Sequence, residues 1–419
     1  MRFMKIMAAA LLIAFGIGEN ATAQQTVEIE YWQYTFETRV RAMDELIKQF
    51  TAANPAVKVK HVHFPYADYR TKISAAMAAG QAPDMVQLFY GWLDEFQAAK
   101  ILQPLPAAVF PPDKIDAEFF PMVRAMKRDG AYYALPTAVR SLAVFYNVRL
   151  MREAGLDPAN PPKTLDAMLD AAKRMTKRDA AGNITQVGMG AGMEAQDHHW
   201  WREVLVRQFG GAPYSPDGKR VAYNSDAGLR AMNWYVDLFK QHKVTARNFM
   251  DEPQAAFRAQ RAGLIVDGNF RIGALERTQG LEWIVSPLPG HNGARSNYGS
   301  YWVNGITTQA KGPKLEAATK FLAFVTTPAA MDLWLKVTGE LPAREAAANS
   351  KEAAASPIYG PFVAGLKEAV ATQFIDETAQ RQVVIDAVNR ILLENQDPAA
   401  SLRVMAEAEQ KLLDAFYKK

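Results

Sequence analysis

Residues 131–176 read AYYALPTAVRSLAVFYNVRLMREAGLDPANPPKTLDAMLDAAKRMT. Apolar residues 142–146 predict a strand that ends at Asn147, and a short helix follows that Gly155 ends. After the Pro-Pro turn, Thr164 is placed to cap the next amphipathic helix. Because no group of catalytic type lies within it, the stretch indicates a scaffold built around a chain crossing. This pattern favours binding over catalysis.

The chain before this stretch alternates strands and helices. Runs of apolar residues predict strands at 27–32, 57–64 and 85–89. Apolar residues that recur three and four positions apart predict helices between these strands, at 43–50 and 69–77. Such an order predicts a mostly parallel sheet with helices on both faces. Ligands bind beyond the carboxyl ends of such strands, where aromatic residues cluster here.

The N-terminus has the features of a secretory signal peptide. Arg2 and Lys5 precede an apolar run at residues 6–17, and residues 21–23 (ATA) form a small-residue cleavage site. We therefore expect residues 1–23 to be removed. The chain contains 0 cysteines, so it has no disulfide, no thiolate metal site and no residue for a lipid anchor. These features predict a free periplasmic protein of a Gram-negative cell.

Length and charge narrow the class further. A chain of 419 residues is too long for one core and suits two large lobes. Its 48 basic and 44 acidic residues are interspersed and leave a net charge of only +4, which argues against nucleic acid as a partner. No glycine-rich phosphate loop occurs, so no nucleotide cofactor is expected.

Ordered motifs along the chain resemble one known family. They are residues 79–84 (AGQAPD), 133–136 (YALP), 146–147 (YN), 154–156 (AGL), 162–164 (PKT), 210–211 (GG), 257–270 (FRAQRAGLIVDGNF), 316–318 (EAA), 321–322 (FL) and 341–344 (LPAR). The set resembles the carbohydrate-type extracellular solute-binding proteins of ABC importers, the group that includes maltose-binding protein. Two positions depart from the family pattern: Phe270 stands where the family has Trp, and Leu165 follows the PKT motif in place of Trp.

The resemblance implies an α/β, two-lobed periplasmic-binding-protein fold of type II. Its discontinuous lobes would be joined by three crossovers near residues 139–141, 299–303 and 342–344. One lobe would comprise residues 24–139 plus 303–343, and the other 141–299 plus 344–419. The resemblance also implies hinge closure around a sugar or sugar-like solute, delivery to ABC permease subunits in the inner membrane, and a monomer.

A site that binds a sugar needs flat aromatic side chains for the apolar faces of the sugar and a few fixed polar groups for its hydroxyls. By position, the resemblance implies a set of ligand-binding residues drawn from both lobes and the crossovers: Tyr34, Glu37, Tyr90, Trp92, Arg140, His198, Trp200, Phe270, Arg271, Tyr301 and Arg344. Three arginines among them could bind a carboxylate or phosphate. Alternatively, they could form salt bridges to Glu37, Asp94 or Asp267, so the ligand could be a neutral sugar, a polyol, a uronate or a sugar phosphate.

Two pairs of histidines are candidate metal ligands. His198 and His199 are adjacent, and His61 and His63 could share a strand face, but no third ligand is evident for either pair. The sequence therefore predicts no metal site.

Two other functions stay open. A secreted carbohydrate-active enzyme would need two carboxylates across a cleft, for which Glu37 and Asp94 are available without any context that singles them out. A subunit that presents a ligand to a periplasmic sensor would share the same fold. The sequence favours the binding protein and predicts no catalytic residue.

Overall fold

The computed structural model describes residues 26–372 and 374–418, so the predicted signal peptide lies outside the described residues. The described strands are β1 Val27–Tyr34, β2 Val57–Phe64, β3 Met85–Phe89, β4 Lys127–Arg128, β5 Ala131–Tyr132, β6 Ala134–Arg140, β7 Leu142–Asn147, β8 Lys177–Arg178, β9 Ile184–Gly190, β10 Ala262–Gly268, β11 Trp283–Pro287, β12 Asn297–Tyr298, β13 Ser300–Ile306, β14 Leu341–Pro342 and β15 Ala369–Val370.

The α-helices are α1 Glu37–Ala53, α2 Tyr66–Ala78, α3 Leu93–Ala98, α4 Pro112–Glu118, α5 Val148–Glu153, α6 Leu165–Met175, α7 Val206–Gln208, α8 Asp226–Lys240, α9 Pro253–Arg258, α10 Ile272–Glu276, α11 Gly312–Val325, α12 Pro328–Thr338, α13 Glu345–Ala348, α14 Lys351–Ala355, α15 Gly360–Leu366, α16 Glu377–Leu393 and α17 Pro398–Tyr417. Tight 3₁₀ turns span Tyr90–Trp92, Pro121–Met126 and Asn269–Arg271, and wide π-type turns span Met193–Asp197 and Trp200–Leu205.

The first large sheet has six strands in the order β14-β6-β13-β3-β1-β2. β1 runs parallel to β2 and β3, whereas β13 runs antiparallel to both β3 and β6. The carboxyl ends of β1, β3 and β6 and the start of β13 therefore meet at one edge of the sheet.

The second large sheet has five strands in the order β11-β7-β10-β9-β8. β6 of the first sheet and β7 of the second are separated only by Ser141, which is buried. The Asn297 side chain stabilises this crossing, because it accepts a hydrogen bond from the Leu142 backbone at 2.9 Å and donates one to the Leu142 carbonyl at 2.8 Å.

The sequence predicted the local elements well. The strands at 57–64 and 85–89 have the predicted bounds, and the Thr164 hydroxyl accepts a hydrogen bond from the Ala167 backbone, which confirms the predicted cap. The prediction of a mostly parallel sheet is wrong beyond the first three strands, and both large sheets are mixed. The reason is that β13 enters the first sheet after the chain has passed through the second sheet and runs antiparallel to β3 and β6, a direction that the local pattern does not encode.

Within the part of the chain that the structure describes, no helix is both long enough and apolar enough to cross a membrane.

α6 packs closely against the second sheet at Gly188 on β9. A Cβ atom there would lie 1.7 Å from the Ala172 carbonyl oxygen, so backbone would have to move. We expect Gly188→Ala to lower the free energy of unfolding by about 1–3 kcal/mol, as for an overpacked core. Gly273→Ala is the control, because its Cβ would meet only the Arg277 side chain, at 3.6 Å. Urea unfolding of both variants tests this; equal midpoints would contradict it.

His61 on β2 gives the fold a pH dependence. Its Nδ1 lies 2.7 Å from Asp44 Oδ1, yet burial lowers the pKa of His61 more than Asp44 raises it. The unfolded state therefore binds the proton more readily, and stability falls as the pH drops below about 6.5. We expect His61→Gln to lose less stability than the wild type between pH 7.5 and pH 5. Parallel pH profiles of the two proteins in urea unfolding would contradict this.

Candidate functional site

A cavity of about 340 Å³ lies where the edge of the first sheet faces elements of the second. Residues from β1, β3, β6 and β13 supply one side, and residues near the first π-type turn, the 3₁₀ turn at 269–271 and α16 supply the other. The lining residues are Tyr34, Thr35, Phe36, Arg39, Tyr66, Phe89, Arg140, Gln196, His198, His199, Phe270, Tyr298, Ser300, Trp302, Glu377 and Arg381. We call this cavity the cleft.

One wall of the cleft is aromatic. The Tyr34 and Trp302 rings lie with centroids 4.1 Å apart, and Tyr66 meets Tyr34 edge-on at 5.5 Å. Tyr66 is 48% exposed and Phe36 37% exposed, although such large apolar groups are usually buried. This wall therefore offers flat apolar surface to a solute.

The floor of the cleft holds a buried ion pair. The Arg39 Nε lies 3.1 Å from both carboxylate oxygens of Glu340, its Nη2 also donates to that carboxylate, and Trp334 Nε1 donates to Oε2 at 2.9 Å. Burial lowers the pKa of Arg39 to about 10, with Glu340 opposing the shift. Burial alone would raise the pKa of Glu340, but Arg39 and Arg140 hold it below its usual range. Both partners are charged at neutral pH.

Arg140 stands beside this pair without joining it. Its Nε lies 3.8 Å from Glu340 Oε1, beyond hydrogen-bond distance, and is buried without an acceptor among the described residues. Its guanidinium carbon lies 5.1 Å from the centre of the Phe270 ring. Stacking of this kind holds the guanidinium in place and leaves its in-plane N–H groups available.

The opposite wall is polar. His198 Nδ1 lies 3.2 Å from the Met193 carbonyl, which can only accept, so this nitrogen carries the proton. Burial lowers the pKa of His198, with Glu377 opposing, and lowers the pKa of His199 further. Both imidazoles are therefore neutral at pH 7, and His198 Nε2 is a free acceptor. His199 is fixed by stacking on Tyr298 at 4.0 Å.

The same wall brings together groups that could hold a metal ion. One ligand atom from each of His198, His199 and Glu377 lies within 4.8 Å of the others, so the third ligand that the sequence did not reveal is Glu377. Arg140 and Arg381 line the same cavity, however, and positive charge beside a site disfavours a cation.

The structure brings four of the predicted site residues to the cleft: Tyr34, Arg140, His198 and Phe270. The expectation for the other aromatic residues needs correction, since each lies in the core and is absent from the lining. Trp200 is fully buried against Trp234, Tyr90 and Tyr301 stack on each other at 4.7 Å, and Trp92 packs behind Trp302 at 5.4 Å.

The expectation for three charged residues is corrected as well. Arg271 Nε donates to Asp267 at 2.9 Å, which is one of the salt bridges that the sequence left open. Arg344 pairs with Glu118 and donates to the Thr326 carbonyl. Glu37 is exposed in the first turn of α1 and does not line the cleft.

Several lining residues were missed. Trp302 follows Tyr301 on β13, and successive strand residues point to opposite faces, so an error of one position exchanges a cleft residue for a core residue. Alternation along residues 300–302 could have revealed it. Glu377 and Arg381 lie one turn apart on α16, far along the chain, and no local signal connects them to the other lining residues.

The family model for bacterial extracellular solute-binding proteins matches residues 37–332, and the chain belongs to this family. The maltotriose-binding protein of Pyrococcus abyssi is 24% identical over 341 residues, 80% of this chain and 70% of the relative. The sn-glycerol-3-phosphate-binding periplasmic protein UgpB of Agrobacterium fabrum is 24% identical over 355 residues, 81% of this chain and 79% of the relative. The solved GacH receptor of Streptomyces glaucescens superimposes with a TM-score of 0.78 at 20% identity, covering 93% of this chain and 99% of that one. The fold is therefore that of two-lobed, maltose-binding-like solute-binding proteins.

Proposed function

We propose that the protein captures a sugar or sugar-like polyhydroxylated solute in the cleft and delivers it to the permease of an ABC importer. The observation that carries this proposal is the pairing of an aromatic wall with a polar wall across one cavity. Aromatic rings cover the apolar faces of a sugar ring, while His198, Glu377 and Gln196 can meet its hydroxyl groups. The curated relatives bind maltotriose and sn-glycerol 3-phosphate, which are both polyhydroxylated.

Closure is proposed to occur by hinge motion between the lobes 24–139 plus 303–343 and 141–299 plus 344–419. Support comes from the two large sheets, which draw their strands from these segments apart from the start of β13. A solute that contacts both walls binds the closed form better than the open one, and this difference in affinity drives closure. The protein is proposed to act as a monomer in the periplasm, after removal of residues 1–23.

The enzyme alternative has less support. Glycoside hydrolysis needs two carboxyl groups flanking the bond, but Glu377 is the one carboxylate among the described residues that line the cleft. Asp94, the second carboxylate that the sequence offered, pairs with Arg128 instead. Incubation with maltotriose tests this alternative, and turnover would favour the enzyme. A ligand-presenting sensor subunit would bind the same solute and would differ in its membrane partner.

A thermal-shift screen of the mature protein tests solute capture. The panel is maltotriose, D-glucose, glycerol, D-glucuronate and sn-glycerol 3-phosphate. A solute that binds only the folded state at 100 times its Kd stabilises it by about 2.7 kcal/mol and raises Tm. We expect at least one panel member to do so. An unchanged Tm with every member at millimolar concentration would contradict the proposal.

Trp302→Ala tests the aromatic wall. Loss of the platform should weaken binding of the best panel solute by about 1–3 kcal/mol, or about 5- to 150-fold, measured by calorimetry. Trp283→Ala is the matched control, because Trp283 is also half-buried but lies on β11, outside the cleft lining. Equal affinities of the two variants would rule out Trp302 as a binding platform.

A further inference from the structure

The charges at the cleft are unbalanced. Three guanidinium groups line it, those of Arg39, Arg140 and Arg381, against the single lining carboxylate of Glu377. Glu340 lies directly behind the floor and adds a second negative charge. Three guanidinium groups against these two carboxylates leave one positive charge in excess.

We assign the excess charge to Arg140, because Arg39 is hydrogen-bonded to Glu340 and the Arg381 side chain is 32% exposed to water, whereas Arg140 has a buried Nε without a described acceptor. Glu340 accepts from Arg39 through both oxygens and from Trp334. Glu377 lies 3.9 Å from Arg381 and 3.7 Å from His198. Neither carboxylate hydrogen-bonds to Arg140.

Arg140 therefore has a guanidinium Nε without an acceptor among the residues that the structure describes. Its side chain is 12% exposed, so water reaches little of it, and its Nε is buried and unpaired. Leaving such a donor unsatisfied is costly, whereas an anionic acceptor makes charge-assisted and often bidentate hydrogen bonds with a guanidinium. The stacking on Phe270 fixes its position before a ligand arrives.

We propose that the captured solute carries one anionic group, a carboxylate or a phosphate, and that Arg140 binds this group. The proposal rests on the proposed capture function and names the class of its substrate. The rest of the solute is polyhydroxylated, with hydroxyl groups that donate to His198 Nε2 and Glu377. A cavity of about 340 Å³ is near the small end of ligand sites, which fits a molecule of monosaccharide size or smaller.

Matched pairs of probes test the anionic group. Calorimetry compares sn-glycerol 3-phosphate with glycerol and D-glucuronate with D-glucose, using the mature chain treated with EDTA. We expect an anionic member to bind at least tenfold more tightly than its neutral partner. Tight binding of the phosphate alone, or of the carboxylate alone, identifies the anion. Equal affinity within both pairs would overturn the proposal.

Substitutions of Arg140 then test whether this residue binds the anionic group. Arg140→Gln should weaken binding of the anionic probe by about 10- to 100-fold, and Arg140→Lys by less, because it keeps the charge but loses the bidentate geometry. Arg128→Gln is the control: Arg128 is 20% exposed, pairs with Asp94 and does not line the cleft, so affinity should change less than twofold. Circular dichroism and Tm establish that each variant is folded. Equal losses in the Gln and Lys variants would overturn the assignment to charge.

The same probes distinguish loss of the anionic-group assignment from loss of solute capture itself. Binding of maltotriose or D-glucose without binding of either anionic probe would overturn the anionic group and leave solute capture intact. Absence of binding by every solute would overturn both. Binding that requires added Zn²⁺ and disappears in His199→Ala would overturn the inference in favour of a metal site at His198, His199 and Glu377.

Discussion

The cleft depends on the buried contact between Arg39 and Glu340. Removing two charges from water costs several kcal/mol each, and only close geometry with further hydrogen bonds offsets this cost. Glu340 meets the second condition, since it also accepts from Trp334. Arg39 packs 4.9 Å from the Phe36 ring, while its Nη1 makes no hydrogen bond to a described residue. The pair joins α1 to the segment before β14, and so holds the start of β14 beside the floor of the cleft.

That arrangement explains why Arg140 makes no hydrogen bond to Glu340. β6 ends at Arg140 and β7 begins two residues later in the other sheet, so the position of this side chain is set by the crossing itself. Glu340 is close enough to offset part of its charge at 3.8 Å but makes its hydrogen bonds to Arg39. A charge that is held in place and only partly neutralised is suited to binding a ligand, because little reorganisation is needed when the ligand arrives.

Sequence reasoning was most accurate where the information is local. Strand bounds and the Thr164 cap follow from neighbouring residues, and motifs spread along the chain indicated the family. The direction in which a side chain points was harder to predict from the sequence. On β13 an error of one residue selected Tyr301 in place of Trp302. Near His198, π-type turns change the number of residues per turn, so the face occupied by Trp200 could not be inferred from ordinary helical spacing. Glu377 and Arg381 reach the cleft only through tertiary packing.

The asymmetry of the two walls links binding to closure. The aromatic surface belongs to the first sheet and its helices, and the free acceptors belong to the elements around the second sheet. A solute on one wall alone would gain only part of its contacts, and binding would not distinguish an open arrangement from a closed one. A solute that bridges both walls favours closure in proportion to the contacts that only the closed arrangement provides. Because Arg140 lies where β6 of the first sheet passes into β7 of the second, an anionic group bound there would sit between the two walls, while the hydroxyl groups of the same solute reach the polar wall.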